Sequence, residues 1–159
     1  MNVLKILETV MDGPHLRTSI YFSGCTHHCK ECHNPETWKF GQGTQYTSLE
    51  LLEEVEKYGN KYVTLSGGDP LEQNLSALAI FLYYLKLHEY NVWCYTGYTY
   101  EELIKNPDNI LILSYIDVLV DGEFKINLKS DNCQWRGSTN QRVIDVQKSL
   151  EQNKIILWQ

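Results

Sequence analysis

Four short apolar runs in this chain each end on glycine, and that repetition constrains the fold more than any other feature. Arg17–Phe22 (RTSIYF) leads into Ser23-Gly24, and residues 62–65 lead into Ser66-Gly67-Gly68-Asp69-Pro70. Asn91–Tyr95 (NVWCY) leads into Thr96-Gly97-Tyr98, and residues 118–120 into Asp121-Gly122. β-Branched and aromatic side chains fill the runs and turn residues close them, the signature of strands.

Helices separate these strands. Thr47-Ser48-Leu49-Glu50 is a capping box, the Thr47 hydroxyl and the Glu50 carboxylate serving amides that the helix leaves unpaired. Leu49, Leu52 and Val55 then recur at helical spacing, and Gly59 is placed to stop the helix. Residues 75–88 carry Leu75, Leu78, Ala79, Leu82 and Leu85 on one face, as a core-facing helix does. A second capping box, Thr99-Tyr100-Glu101-Glu102, opens a helix that must stop or bend before Pro107.

Strand and helix therefore alternate, the pattern of βαβ units around a parallel sheet, and the fold class is α/β. Residues 2–7 add a strand antiparallel to Arg17–Phe22 across the Met11-Asp12-Gly13-Pro14 turn. Residues 127–137 read as a polar loop, and residues 142–146 and 154–158 as two more strands. A βαβ unit needs about 30 residues and a closed eight-unit barrel about 250, so 159 residues give a partial, open barrel with a mostly parallel, curved sheet in one domain, 1–159. Parallel sheets bind their ligands beyond the carboxyl ends of the strands, so the glycine-rich rim is the expected site.

On that rim, residues 24–38 (GCTHHCKECHNPETW) hold three of the five cysteines, Cys25, Cys29 and Cys32, spaced C-x3-C-x2-C. Thiolates suit iron–sulfur clusters and zinc. A fourth local ligand is missing, whereas structural zinc sites and electron-transfer clusters normally close with four, so three cysteines leave one iron open. The odd cysteine count fits metal ligation in a reducing compartment better than a disulfide framework. Cys94 lies in an apolar strand and reads as core; Cys133 sits in a polar loop and reads as a spectator thiol. His27 and His28 are read as loop-packing or hydrogen-bonding residues behind the ligands. Asp121-Gly122 is first a turn, and Arg136 is either a carboxylate binder or a solvated surface residue.

Other classes are disfavoured. A formal net charge of −6 without a basic patch argues against nucleic acid, and no apolar run approaches the roughly 18 residues of a membrane span. The first residues lack signal-peptide anatomy and Glu8 and Asp12 oppose a transit peptide, so the expected location is cytoplasmic.

The spacing resembles that of the radical S-adenosylmethionine (SAM) enzymes, and one branch in particular, the activating proteins of anaerobic (class III) ribonucleotide reductase. The carriers span most of the chain: Asp12-Gly13-Pro14, residues 24–38, 66–71 (SGGDPL), 95–103 (YTGYTYEEL), 117–124 (DVLVDGEF) and 135–146 (WRGSTNQRVIDV). The resemblance implies an oxidoreductase with a 4Fe-4S cluster held by Cys25, Cys29 and Cys32, SAM completing the open iron. Gly67-Gly68-Asp69 stands where the family has its "GGE" element beside the methionine amino group, with Asp for Glu. Glu31, Cys32 and His33 are the implied adenine-side contacts; position 31, commonly Gly in this branch, is Glu here, so contact there is expected from the backbone. The implied chemistry is reductive cleavage of SAM to methionine and a 5′-deoxyadenosyl radical, which makes a glycyl radical on the large reductase subunit. A low-potential donor such as flavodoxin is implied as well; homodimer and heterotetramer both stay open. The alternatives are an activase of another glycyl-radical enzyme such as pyruvate formate-lyase, a small iron–sulfur electron carrier, and a zinc-stabilised interaction module.

Overall fold

The computed structural model describes residues 1–159. Seven strands form one open mixed sheet: β1 (Asn2–Thr9), β2 (Arg17–Phe22), β3 (Thr44–Gln45), β4 (Tyr62–Gly67), β5 (Asn91–Tyr95), β6 (Val118–Asp121) and β7 (Arg142–Asp145), in the order β3-β1-β2-β4-β5-β6-β7. The centre, β2-β4-β5-β6, is parallel, with Ile20 opposite Leu65, Thr64 opposite Trp93 and Cys94 opposite Leu119. Both flanks are antiparallel, β1 against β2 and β3 on one side and β7 against β6 on the other. Parallel pairing is thus confined to the middle of the sheet, where α-helices connect successive strands, while the outer strands join without an α-helical crossover.

The helices are α1 (Ser48–Glu56), α2 (Leu75–Leu87), α3 (Tyr100–Leu103), α4 (Pro107–Leu113) and α5 (Val146–Gln152). Both expected capping boxes form, at Thr47 with Glu50 and at Thr99 with Glu102. The helix after Thr99 lasts a single turn before Pro107, as the sequence requires, but Pro107 then opens α4, with the Asn106 side chain capping it by accepting from the Asp108 amide. Proline is favoured at the first helical position because its missing N–H has no partner there. The C-terminal expectation needs correction. Residue 146 begins α5 instead of ending a strand, with the Asp145 side chain accepting from Lys148 N, and the strand expected over 154–158 reduces to one bridge between Ile144 and Leu157.

One face of the sheet presents Ile20, Phe22, Val63, Leu65, Val92, Cys94 and Leu119 to α1, α2 and α4, whose Leu51, Val55, Leu78, Phe81, Leu82, Leu85 and Ile112 are buried against them. Strand alternation sends Trp93, Val118 and Val120 to the opposite face, where Trp135, Val143 and Trp158 cover them. Cys94 is fully buried, and burial pushes its thiol well up, in keeping with a core role. No helix is long and apolar enough to cross a membrane.

Candidate metal and cofactor site

Because β2, β4, β5 and β6 run in parallel, their carboxyl ends deliver residues 23–25, 68–69, 96–98 and 122–124 to one rim. A cavity of about 200 Å3 opens there, lined among others by Cys25, Cys29, Cys32, Gly67, Gly68 and Asp69. His33 lines it too. Glu31 does not; it is exposed, with a left-handed backbone at φ 57°.

The cysteine loop is pinned at both ends by backbone bonds. Gly24 N–H donates to Thr37 O at 2.7 Å and Cys25 N–H to Trp38 O at 3.0 Å, and Asp69 N–H closes back on Gly24 O at 2.8 Å. That last contact explains the second glycine after β4, since a Cβ on Gly68 would lie 2.3 Å from Gly24 O. The protein's own loop, rather than a ligand, already demands a bare backbone at this point.

Burial pushes the Cys25 thiol up to about 12, with the Asp69 and Glu72 carboxylates adding to it and the His27 and His28 amides opposing. Cys29 is raised by burial, with Glu123 adding and the Phe124 amide opposing. Asn34 N–H donates to Cys32 Sγ at 3.4 Å. The donor set fits an iron–sulfur cluster: three soft sulfurs line one cavity, and backbone N–H groups face each of them, the type of interaction that stabilises bound thiolate. Loading would have to displace thiol protons, so uptake should favour higher pH.

Asp69 is 1% exposed and fully committed within the protein. Oδ1 accepts from Leu71 N–H at 2.9 Å, and Oδ2 from Gly97 N–H and the Thr96 hydroxyl, both at 2.9 Å, and from the His27 ring at Nε2, also 2.9 Å. The other His27 nitrogen, Nδ1, lies 3.0 Å from Glu123 Oε1, and Glu72 Oε1 is 3.6 Å from Nε2. The hydrogen bond to Asp69, working against burial, raises the His27 imidazole to about 9. His28 instead stacks on Trp38 at 4.5 Å, and His33 tilts against Phe124 at 5.0 Å.

The sequence reading missed Glu72, Thr96, Tyr98 and Glu123 as members of this network. Their only local signal was position just beyond strand ends. It also left Arg136 open: its Nη1 donates to Thr139 O and Gln141 O at 3.1 and 2.6 Å, which holds a turn. Asp121 is buried, accepting from Tyr100 N–H at 2.8 Å and pairing with Arg142, while Gly122 lines the cavity. Cys133 lines a neighbouring groove with Met11, Trp135 and Arg136, which none of the three loop cysteines lines.

Residues 11–144 match the family described as a 4Fe-4S single cluster domain. A protein of Vibrio cholerae named anaerobic ribonucleoside-triphosphate reductase-activating protein is 37% identical over 141 residues, covering 83% of this chain and 89% of the relative. Relatives of the same name from Pasteurella multocida and Escherichia coli K12 are 36% and 32% identical; they match 89% and 84% of this chain over 95% and 91% of their own lengths. With the cysteine loop, the Gly67-Gly68-Asp69 turn and the strand-end rim all inside the matched stretch, the chain belongs to the family of anaerobic ribonucleoside-triphosphate reductase-activating proteins.

Proposed function

We propose that residues 1–159 act as one radical SAM domain of the partial-barrel type, an oxidoreductase that activates an anaerobic ribonucleotide reductase by forming a glycyl radical on its large subunit. One observation carries the reading: Cys25, Cys29 and Cys32 share a single cavity with Gly67, Gly68 and Asp69 at the carboxyl rim of the parallel strands. In this reading the three sulfurs hold a 4Fe-4S cluster and leave an iron for SAM. When bound, the reduced cluster and SAM supply a 5′-deoxyadenosyl radical that removes a hydrogen atom from a glycine Cα.

The chain's own part is to bind, orient and shield. The backbone at Gly67 and Gly68 forms the wall for the methionine end of SAM, where the Asp69 carboxylate lends negative charge although its oxygens are held by Leu71, Thr96, Gly97 and His27. Cys32, His33 and the backbone of Glu31 take the adenine side. An open sheet leaves its rim accessible to a loop of another protein, which suits a polypeptide substrate. Free thiols at all five cysteines and an oxygen-sensitive cluster suit a reducing cytoplasm and a low-potential donor such as flavodoxin.

Anaerobic reconstitution followed by addition of reductant, SAM and the reductase tests the reading. Methionine, 5′-deoxyadenosine and a glycyl radical signal in electron paramagnetic resonance are expected. Cys25→Ala, Cys29→Ala and Cys32→Ala should each abolish cluster uptake and SAM cleavage, while Cys94→Ala and Cys133→Ala retain both. Cleavage of SAM without a glycyl radical would move the target to another protein. Wild-type iron content in a loop-cysteine variant would overturn the ligand assignment.

A further inference from the structure

We infer that His27 is the positioning residue of the cysteine loop: a ring held at both nitrogens that ties the loop to residues following β4, β5 and β6.

Both ring nitrogens are engaged: Nε2 lies 2.9 Å from Asp69 Oδ2 and Nδ1 lies 3.0 Å from Glu123 Oε1.

The surrounding residues fix its position. Asp69 cannot swing with the ring, because Leu71 N–H, Thr96 Oγ1 and Gly97 N–H already hold its two oxygens. Tyr98 meets the imidazole edge-on at 4.6 Å and 74°. Gly97 leaves room for it: a Cβ there would stand 2.5 Å from His27 Cδ2. Next door, Thr26 donates through its amide and hydroxyl to Glu72 at 2.8 and 2.6 Å, so the same short stretch is fastened twice. A loop leaving β2 is thereby joined to residues that follow each of the other three parallel strands.

The test compares the wild-type chain with His27→Gln and His27→Lys, neither of which keeps the two-sided ring. In the metal-free proteins, hydrogen exchange of amides 25–33 should quicken on the order of tenfold in both variants, while core amides of β4 and β5 keep wild-type protection as proof of folding. Wild-type loop exchange in His27→Gln would overturn the anchoring role. If wild-type protein takes up no cluster, the proposed function fails, and loop exchange in the metal-free chains still decides whether His27 holds the loop.

Discussion

A basic side chain shielded from solvent lies at or just beyond each end of strand β2, and the two are held in opposite ways. Arg17 opens the strand and is 0% exposed. It donates only to neutral acceptors: Thr64 Oγ1 at 2.8 Å, Pro14 O at 3.1 Å, Val63 O at 2.9 Å, and the Asn91 backbone and side-chain oxygens at 3.2 and 2.9 Å. The Tyr62 and Trp93 rings each lie 5.4 Å from its guanidinium carbon. Past the other end of β2, His27 has three carboxylates around it. The outcome follows: burial draws Arg17 down to about 10, whereas the Asp69 hydrogen bond lifts His27 to about 9. At the amino end of the sheet, directional bonds hold a charge that the surroundings disfavour. At the carboxyl end, carboxylates gather beside Cys25 and Cys29 and the His27 ring lies among them. The first arrangement ties strands together, and the second fastens the cysteine loop.

If that division is right, the largest effect on folding should come from the end with no proposed chemistry. Arg17→Lys keeps the charge but loses the planar fork that reaches β4, β5 and the turn before β2 together. Chemical denaturation should show a loss of about 3 kcal/mol, since a buried cation is left with fewer partners. Exchange of amides 25–33 below the global unfolding limit should stay as in wild type. A loop that loosened along with global stability would break the comparison, because the two ends would then form one cooperative unit.

A middle-sized effect tests the other end. Gly97→Ala places a methyl against the His27 ring, and overpacking of this kind costs about 1–3 kcal/mol. In a His27→Ser background the same substitution should cost close to nothing, and this non-additivity, read from a double-mutant cycle, is the measurement. Additive costs would mean that Gly97 is needed for some reason other than the ring.

The sequence exposed much of this design, unevenly. The cysteine loop, both capping boxes and the glycine-ended strands were legible because each rests on residues close together in the chain. α4 was hidden because Ile110-Leu111-Ile112-Leu113 could serve a strand as well as a helix, though Asn106-Pro107 carried a start signal that went unused. α5 was hidden because seven residues, VQKSLEQ, show too little periodicity, and β7 ends where Asp145 turns from strand residue into cap. The site divided along the same line. The cysteines announce themselves, but the partners of His27 lie 42 and 96 residues away, and only the parallel sheet brings them together. Arg17 looked like an ordinary strand residue; its burial depends on Asn91 and Trp93, equally remote in sequence.

The smallest predicted effect concerns the loop backbone. Glu31 has φ 57° and His28 φ 49°, the left-handed region that costs an L-residue roughly 1–2 kcal/mol and glycine almost nothing. Glu31 is exposed, so its side chain offers little burial in return. A glycine at this position would avoid that cost. Glu31→Gly should relieve the cost, less the extra freedom glycine gives the unfolded chain, for a net gain of about 0.5–1 kcal/mol. Lys30→Gly, one residue away and also exposed but outside the left-handed region, should lose a similar amount. Opposite signs at neighbouring positions, measured by thermal unfolding of the metal-free proteins, would locate strain in the loop at the carboxyl end. Equal losses would mean that Glu31 is not held left-handed in solution, and that the rim, like the Arg17 end, is built without backbone strain at that residue.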